Sequence, residues 1–279
     1  MIQKFNKVAL VYNANKKENT DLVKQLEQFL KSKNISCWVG KTSVPDGELH
    51  TIPSDVNFAT VLGGDGTLLG TSRVLAPKGI AMFGVNTGHL GFLTEGRSGD
   101  IQKLIEQVLN GQCKTEERAM LSVSLVGNKK QAPMFALNDV VINRGTNRKM
   151  IHMTLSVDDR AVADYLADGL IIATPTGSTA YALSAGGAVM DPEIKGIEIV
   201  PICAHSLKSR PHIVADTRTL TITFNRPHEG TILQLDGQET VKVNDGDKIE
   251  IKRAPYSAKL IRLLGIESDF YWRVKEKFH

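Results

Sequence analysis

Residues 63–67 of this 279-residue chain read Gly63-Gly64-Asp65-Gly66-Thr67. An apolar run over residues 58–62 leads into them, and Thr67 opens a helical pattern carrying Leu68, Leu69, Val74 and Leu75. A strand that passes through glycines into a helix gathers backbone N–H groups and the positive end of the helix dipole at one point. That is an anion site, and phosphate is the usual anion. Glycine lets a phosphate approach the backbone where a Cβ would block it. Gly63, Gly64, Gly66 and Thr67 are therefore expected to hold phosphates. The one acidic side chain there is Asp65. It could cap the helix, since Asp is a favoured N-cap residue. A carboxylate beside donor phosphates is also the right type of group to take a proton from an attacking hydroxyl. The turn is not the dinucleotide fingerprint, because Leu69 stands at its third glycine position, and no Gly-Lys-Ser/Thr follows as in a P-loop.

A second stretch, residues 168–187, joins an apolar run to a turn rich in hydroxyls and glycine. Thr176, Ser178 and Thr179 could cap a short helix. Aimed at a cleft, the same hydroxyls would bond a ribose or a base edge, and Tyr181 could stack on a ring. Asn138-Asp139 interrupts the apolar run of residues 135–142 with a polar pair. Such a pair is either satisfied internally or meets a ligand. The seven histidines show no ligand spacing, and His89 or His205 alone reads as structural.

Two kinds of half-chain must position these groups. Up to about residue 117, short apolar runs at 8–12, 35–39, 58–62 and 80–85 alternate with helical patterns near 19–30, 67–75 and 100–109. That rhythm predicts a doubly wound, Rossmann-like α/β domain with a parallel sheet, whose ligands sit beyond the carboxyl ends of the strands. Pro45, Gly47 and Pro53 mark a loop within it. After residue 117 many short runs separated by Asp-Gly and Asn-Asp-Gly turns predict an antiparallel all-β domain. Its strands are expected at 121–126, 134–142, 151–157, 169–173, 220–224, 231–235, 240–243, 248–252 and 259–264. A last helix over 268–277, with Phe270, Tyr271, Val274 and Phe278 on its apolar side, packs back on one of the two. The expected division is 1–117, 118–265 and 266–279.

Composition bounds the rest. A hydrophobic fraction of 42% and a charged fraction of 23% suit a soluble globular protein. A net charge of +4 is too mild to argue for nucleic acid but suits an anionic small substrate. The cysteines Cys37, Cys113 and Cys203 are odd in number and far apart, which fits a reducing cytoplasm rather than a disulfide framework. No apolar stretch approaches a membrane span.

Taken in order, these segments resemble the NAD kinase family. Residues 63–67 look like its phosphate loop, and residues 86–93 like a second signature. Residues 168–187 look like its third and most specific one, and residues 205–211 and 236–238 are similar to further family segments. The resemblance implies transfer of the γ-phosphate of ATP, or of polyphosphate, to the 2′-hydroxyl of the adenosine ribose of NAD. Asp65 falls on the family's general base. It also falls on an NAD contact, as do Gly66, Phe92, Asn138, Asp139, Lys149, Asp168, Thr179, Ala180, Tyr181, Ala182, Leu183, Ser184 and Gln238. Many members carry Asn-Glu where this chain has Asn138-Asp139, one methylene longer. The family resemblance further implies Mg²⁺ or another divalent cation travelling with ATP, and a homodimer or homotetramer with the NAD site near a subunit interface. A lipid kinase shares the glycine loop but gives residues 176–184 no purpose, and a non-catalytic nucleotide sensor gives Asp65 none.

Overall fold

The structure is a computed structural model that describes residues 7–42, 48–88, 91–127, 132–225, 229–265 and 269–278. The chain forms two compact units, Met1–Arg118 with Tyr256–His279, and Ala119–Pro255. Residues 256–265, expected in the second domain, thus group with the first. Pro45, Gly47, His89 and Ser268, named above, lie outside the described residues.

In the first unit the elements run β1 (Lys7–Tyr12), α1 (Lys17–Ser32), β2 (Ser36–Lys41), β3 (Phe58–Gly63), α2 (Asp65–Leu75), β4 (Ala81–Asn86), β5 (Gly96–Arg97) and α3 (Ile101–Leu109). β2, β1, β3 and β4 pair in parallel in that order, and β5 pairs with β4. Alternation along the strands sets the layers. Leu10, Leu62, Phe83 and Val85 face Leu26 and Leu30 of α1 and Ile105 and Val108 of α3. Gly84, between Phe83 and Val85, points the other way, onto Leu68 of α2. Helices therefore cover both faces of the sheet, which is the doubly wound arrangement. β3 and β4 end together, with Gly63 paired to Asn86, so the glycine turn and the loop after Asn86 leave the same carboxyl edge.

A long strand, β6 (Cys113–Val126), leads into the second unit. There follow β7 (Met134–Ala136), β8 (Asp139–Asn143), β9 (Ile151–Val157), β10 (Arg160–Ala167), β11 (Gly169–Ala173) and a one-turn helix, α4 (Tyr181–Ser184). Next come β12 (Gly196–Ile202), β13 (His212–Ala215), β14 (Leu220–Phe224), β15 (Ile232–Leu235) and β16 (Glu239–Lys242). β17 (Lys248–Leu263) returns the chain to the first unit, where α5 (Phe270–Phe278) ends it. One sheet runs β13-β12-β11-β8-β15-β16, and a second ladder joins β10, β9, β14 and β17. All these pairings are antiparallel. Their inner faces share one apolar core that includes Val140, Ile142, Leu155, Leu170, Ile172, Ile222 and Ile251.

Four local expectations change. The run 134–142 is two strands, because the N–H groups of Leu137 and Asn138 turn to the Asp236 carboxylate instead of a ladder. β10, β12 and β13 were not expected: β10 and β13 are half-exposed edges, and β12 carries Glu198 and Pro201 inside its apolar run. β17 is one strand through Pro255 rather than two. In α5 the buried residue is Arg273, while Tyr271 is 64% exposed.

Candidate active site

Only Gly64 separates β3 from α2, and Asp65 is the first helical residue. The Thr67 and Leu68 N–H groups close on the Gly64 carbonyl at 3.0 and 3.3 Å. A Cβ on Gly63 would strike the Thr67 side chain, whereas one on Gly64 would meet no atom of the described residues within 4 Å. Gly63 is thus required by packing. Gly64, at φ −97°, is required by no contact among the described residues, and the space beside it is open at a helix N-terminus.

The Asp65 carboxylate does not cap its own helix. It reaches across to the loop after β4. Its Oδ2 accepts from the Phe92 N–H at 2.7 Å, and its Oδ1 accepts from the Leu93 and Thr94 N–H groups at 3.1 and 3.3 Å. A carboxylate offers about four acceptor positions, so these amides leave one on Oδ2. A Cβ on Gly91 would collide with the carboxylate, which is why the loop comes so near. The Thr94 hydroxyl accepts from Gly91 N–H at 3.2 Å and from the Asn86 amide at 3.3 Å, tying the loop to the end of β4.

Behind the loop is a charged cluster that sequence reasoning missed. Buried Glu95 binds Arg262 at 2.9 Å and Arg273 at 2.8 Å, and Glu116 binds Arg262 at 2.7 Å. Burial pushes the Glu116 carboxyl up, but Arg118 and Arg262 outweigh it and hold it down at about 2. Burial and then the neighbouring Arg262 lower Arg273 to about 10, against the pull of Glu95 and Asp65, so it stays charged near neutrality. The Phe92 ring packs against those of Phe270 and Phe278, at 6.4 and 5.8 Å between centroids.

In the second unit a second constellation forms where β11 ends and β8 begins, with Ala173 paired to Asp139. The Asp236 carboxylate accepts from the N–H groups of Leu137, Asn138 and Asp139. Asp236 and Gly237, both at positive φ, turn the chain from β15 to β16 and leave Gln238 exposed at this end. The Thr174 N–H and hydroxyl bond the Asn138 and Leu137 carbonyls at 2.8 and 2.6 Å. The side-chain Oδ1 of Asn138 is buried with no hydrogen-bond partner among the described residues. Burial, then the Asp236 charge, pushes the Asp139 carboxyl up to about 7.

The hydroxyls of the turn divide. Ser178 and Thr179 bond the Pro175 and Thr176 carbonyls, so they serve the turn itself. Tyr181 and Ser184 are exposed beside Ala180 and Leu183, with Ala182 buried beneath. Asp168 lies at the opposite end of β11, where Gly169 pairs with Asn143. It is bound there to Arg144 at 2.8 Å, and Lys149 stands on the loop that leaves that end. The expected NAD contacts of this unit therefore fall into two groups at opposite ends of one sheet.

Residues 44–113 match the ATP-NAD kinase N-terminal domain and residues 137–263 match the ATP-NAD kinase C-terminal domain. The NAD kinase of Heliobacterium modesticaldum is 36% identical over 277 residues, covering 97% of each chain. The chain belongs to the NAD kinase family. Among solved structures, an NAD kinase from Archaeoglobus fulgidus in complex with ATP is 25% identical. It superposes with a TM-score of 0.76 over 98% of this chain and 97% of the other. A yeast NADH kinase complexed with NADH shares the fold, with a TM-score of 0.81 at 22% identity over 99% of this chain and 88% of the other. Both family segments thus fall on the two carboxylates described above, Asp65 in the N-terminal segment and Asp139 in the C-terminal one.

Proposed function

We propose that this chain transfers the γ-phosphate of ATP, or of polyphosphate, to the 2′-hydroxyl of the adenosine ribose of NAD, with Asp65 as general base. The carrying observation is the Asp65 carboxylate at the open N-terminus of α2, with three acceptor positions filled by the 92–94 amides and one left on Oδ2. In the reaction the 2′-hydroxyl gives its proton to that oxygen. The ribose oxygen forms the new bond to the γ-phosphorus as the bond to the bridging oxygen breaks, and ADP and NADP leave. Phosphoryl transfer asks mainly for positioning and charge neutralisation. The space at Gly64 and the backbone of Gly63, Gly66 and Thr67 suit the donor phosphates.

NAD contacts are assigned to Asp65, Gly66 and Phe92, to Asn138 and Asp139, to residues 179–184 and to Gln238. The orphaned Asn138 Oδ1 supports the reading, since a ligand donor would satisfy it. Asp139 is suited to accept from ribose hydroxyls. Among the described residues no three His, Cys, Asp or Glu side chains gather as a metal site. Mg²⁺ or another divalent cation is assigned to the ATP phosphates, where it would neutralise their charge.

Lys149 and Asp168 stand apart from the other contacts of their unit, which supports a homodimer or homotetramer in which they serve a neighbouring copy. Val162 and Leu166, exposed on the edge strand β10, suit such a contact. Among the described residues no helix is long and apolar enough to cross a membrane, and three free cysteines accord with a cytoplasmic setting.

The deciding experiment is direct. Purified protein with Mg-ATP and NAD is assayed for NADP through an NADP-specific dehydrogenase. NADP formation is expected, with kcat lower by roughly 10²–10⁴ in Asp65→Asn and NAD binding retained. An unchanged kcat in that variant would remove the base assignment.

A further inference from the structure

Two of the three amides that grip Asp65, those of Leu93 and Thr94, are themselves held from behind. In the peptide unit joining Phe92 to Leu93, the carbonyl accepts from Arg273 Nη1 and, at 3.5 Å, from Arg262 Nη2. The N–H of the same unit donates to Asp65 Oδ1 at 3.1 Å. In the next unit the Leu93 carbonyl accepts from Arg262 Nη1 at 2.9 Å, and the Thr94 N–H donates to Asp65 Oδ1 at 3.3 Å. A planar trans peptide carries its C=O and N–H on opposite sides. A guanidinium that fixes the carbonyl therefore also fixes where the amide points.

Glu95 holds both guanidinium groups on one oxygen, Oε2, while its Oε1 accepts from the Leu263 N–H at 3.2 Å. Glu95, Arg262 and Arg273 are 5%, 7% and 2% exposed. Stability alone does not call for such a cluster. Burying ions costs several kcal/mol each, and well-packed apolar groups of the same volume are often as stable or more so. What apolar groups could not do is hold two backbone carbonyls facing away from Asp65. The cluster also draws on three separated segments: the loop after β4, the end of β17, and α5. The C-terminal helix is thereby joined to the catalytic turn through Arg273.

We propose that Glu95, Arg262 and Arg273 are positioning residues for phosphoryl transfer: by pinning the Phe92 and Leu93 carbonyls they aim the Leu93 and Thr94 amides at Asp65 Oδ1, and so set the orientation of the carboxylate whose Oδ2 receives the hydroxyl proton. The inference rests on the reading of Asp65 as the base. None of the three touches substrate in this role, so their removal affects turnover more than binding.

The test uses the full chain. Arg273→Lys keeps a buried cation but replaces two nitrogens, which serve Glu95 and Phe92 separately, with one. Glu95→Gln keeps the shape and removes the charge that gathers the guanidinium groups. Each is expected to lower kcat by roughly 10–100-fold, the scale of a 1 Å misplacement, with KM for NAD and ATP within about twofold. Arg273→Met is expected to lose more. Where it fails to fold by thermal unfolding, the other two variants carry the test. In an Asp65→Asn background, Arg273→Lys should cost no further activity, because the group it positions is gone. Folded variants that retain full kcat would overturn the proposal, and so would losses that multiply with Asp65→Asn. A multiplying loss leaves the base assignment standing, whereas full activity of Asp65→Asn alone removes that assignment instead.

Discussion

At the scale of single residues, two carboxylates, half-buried Asp65 and buried Asp139, have opposite surroundings. Asp65 accepts from the three amides of residues 92–94. Asp139 meets burial and the charge of Asp236, which push its carboxyl up to about 7. The sign of the resulting pH dependence follows. The folded chain holds a proton that the unfolded chain has lost, so Asp139 makes stability fall as pH rises from the usual carboxylate range to about 7. NAD binding should run the other way if ribose hydroxyls donate to the ionised form. KM for NAD is then expected to rise as pH falls below 7, by at most about tenfold per pH unit for one proton. Asp139→Asn should flatten that slope. A titration of NAD affinity against pH in both proteins reads the difference, and equal slopes would detach Asp139 from the ribose. The sequence marked both carboxylates, because each interrupts an apolar or glycine-rich stretch. It did not mark Glu95, Arg262 or Arg273, whose charges stand in segments unrelated by spacing and meet only in the fold.

Among the elements, what was legible depended on periodicity. β1, β3, β4 and α1 announce themselves by uninterrupted apolar runs or a clean helical repeat, and they are the elements that present the glycine turn. β10, exposed at five of its eight positions, and β13, with no buried residue among its four, are edge strands, so no buried-exposed alternation marks them. β12 hides behind buried Glu198. In α5 the apolar spacing of Phe270, Tyr271, Val274 and Phe278 gives no sign that the buried residue is Arg273. The strand-to-helix junction also separates two kinds of glycine. Gly63 lies against Thr67, so Gly63→Ala is expected to destabilise the fold by about 1–3 kcal/mol through overpacking. Gly64 faces open space, so Gly64→Ala should leave the unfolding free energy within about 0.5 kcal/mol. It should nevertheless raise KM for ATP roughly tenfold, equivalent to about 1.4 kcal/mol, as its methyl group meets a phosphate. Thermal unfolding and ATP kinetics on the pair separate a glycine the fold needs from one the ligand needs, and an unchanged KM in Gly64→Ala would argue that the donor binds elsewhere.

At the scale of the whole molecule, the NAD contacts proposed for the antiparallel unit stand at both ends of one sheet. Asn138, Asp139, residues 179–184 and Gln238 gather where Ala173 pairs with Asp139, and Asp168 with Lys149 sits where Gly169 pairs with Asn143. Five residues of strand at roughly 3.3 Å each separate the two ends. A chain that used both ends for one dinucleotide within a single copy would have to span that length. A symmetric oligomer would remove that requirement by letting one copy's Asp168 end meet another copy's Asn138 end. The sequence placed all these residues in one family pattern but could not say that the sheet divides them, since register is a property of pairing rather than of spacing. The consequence can be measured by mixing. Asn138→Ala and Asp168→Ala are each expected to be nearly inactive alone. In a randomly reassociated dimer of the two, half the molecules are mixed, and each of those has one site with both ends intact. Roughly a quarter of the parent activity should therefore return, as expected for a closed two-fold contact. Light scattering on the same samples gives the oligomer size. If mixing restores nothing while mixed oligomers form, Asp168 acts within its own subunit or not at all, and its bond to Arg144 becomes the sufficient account of it.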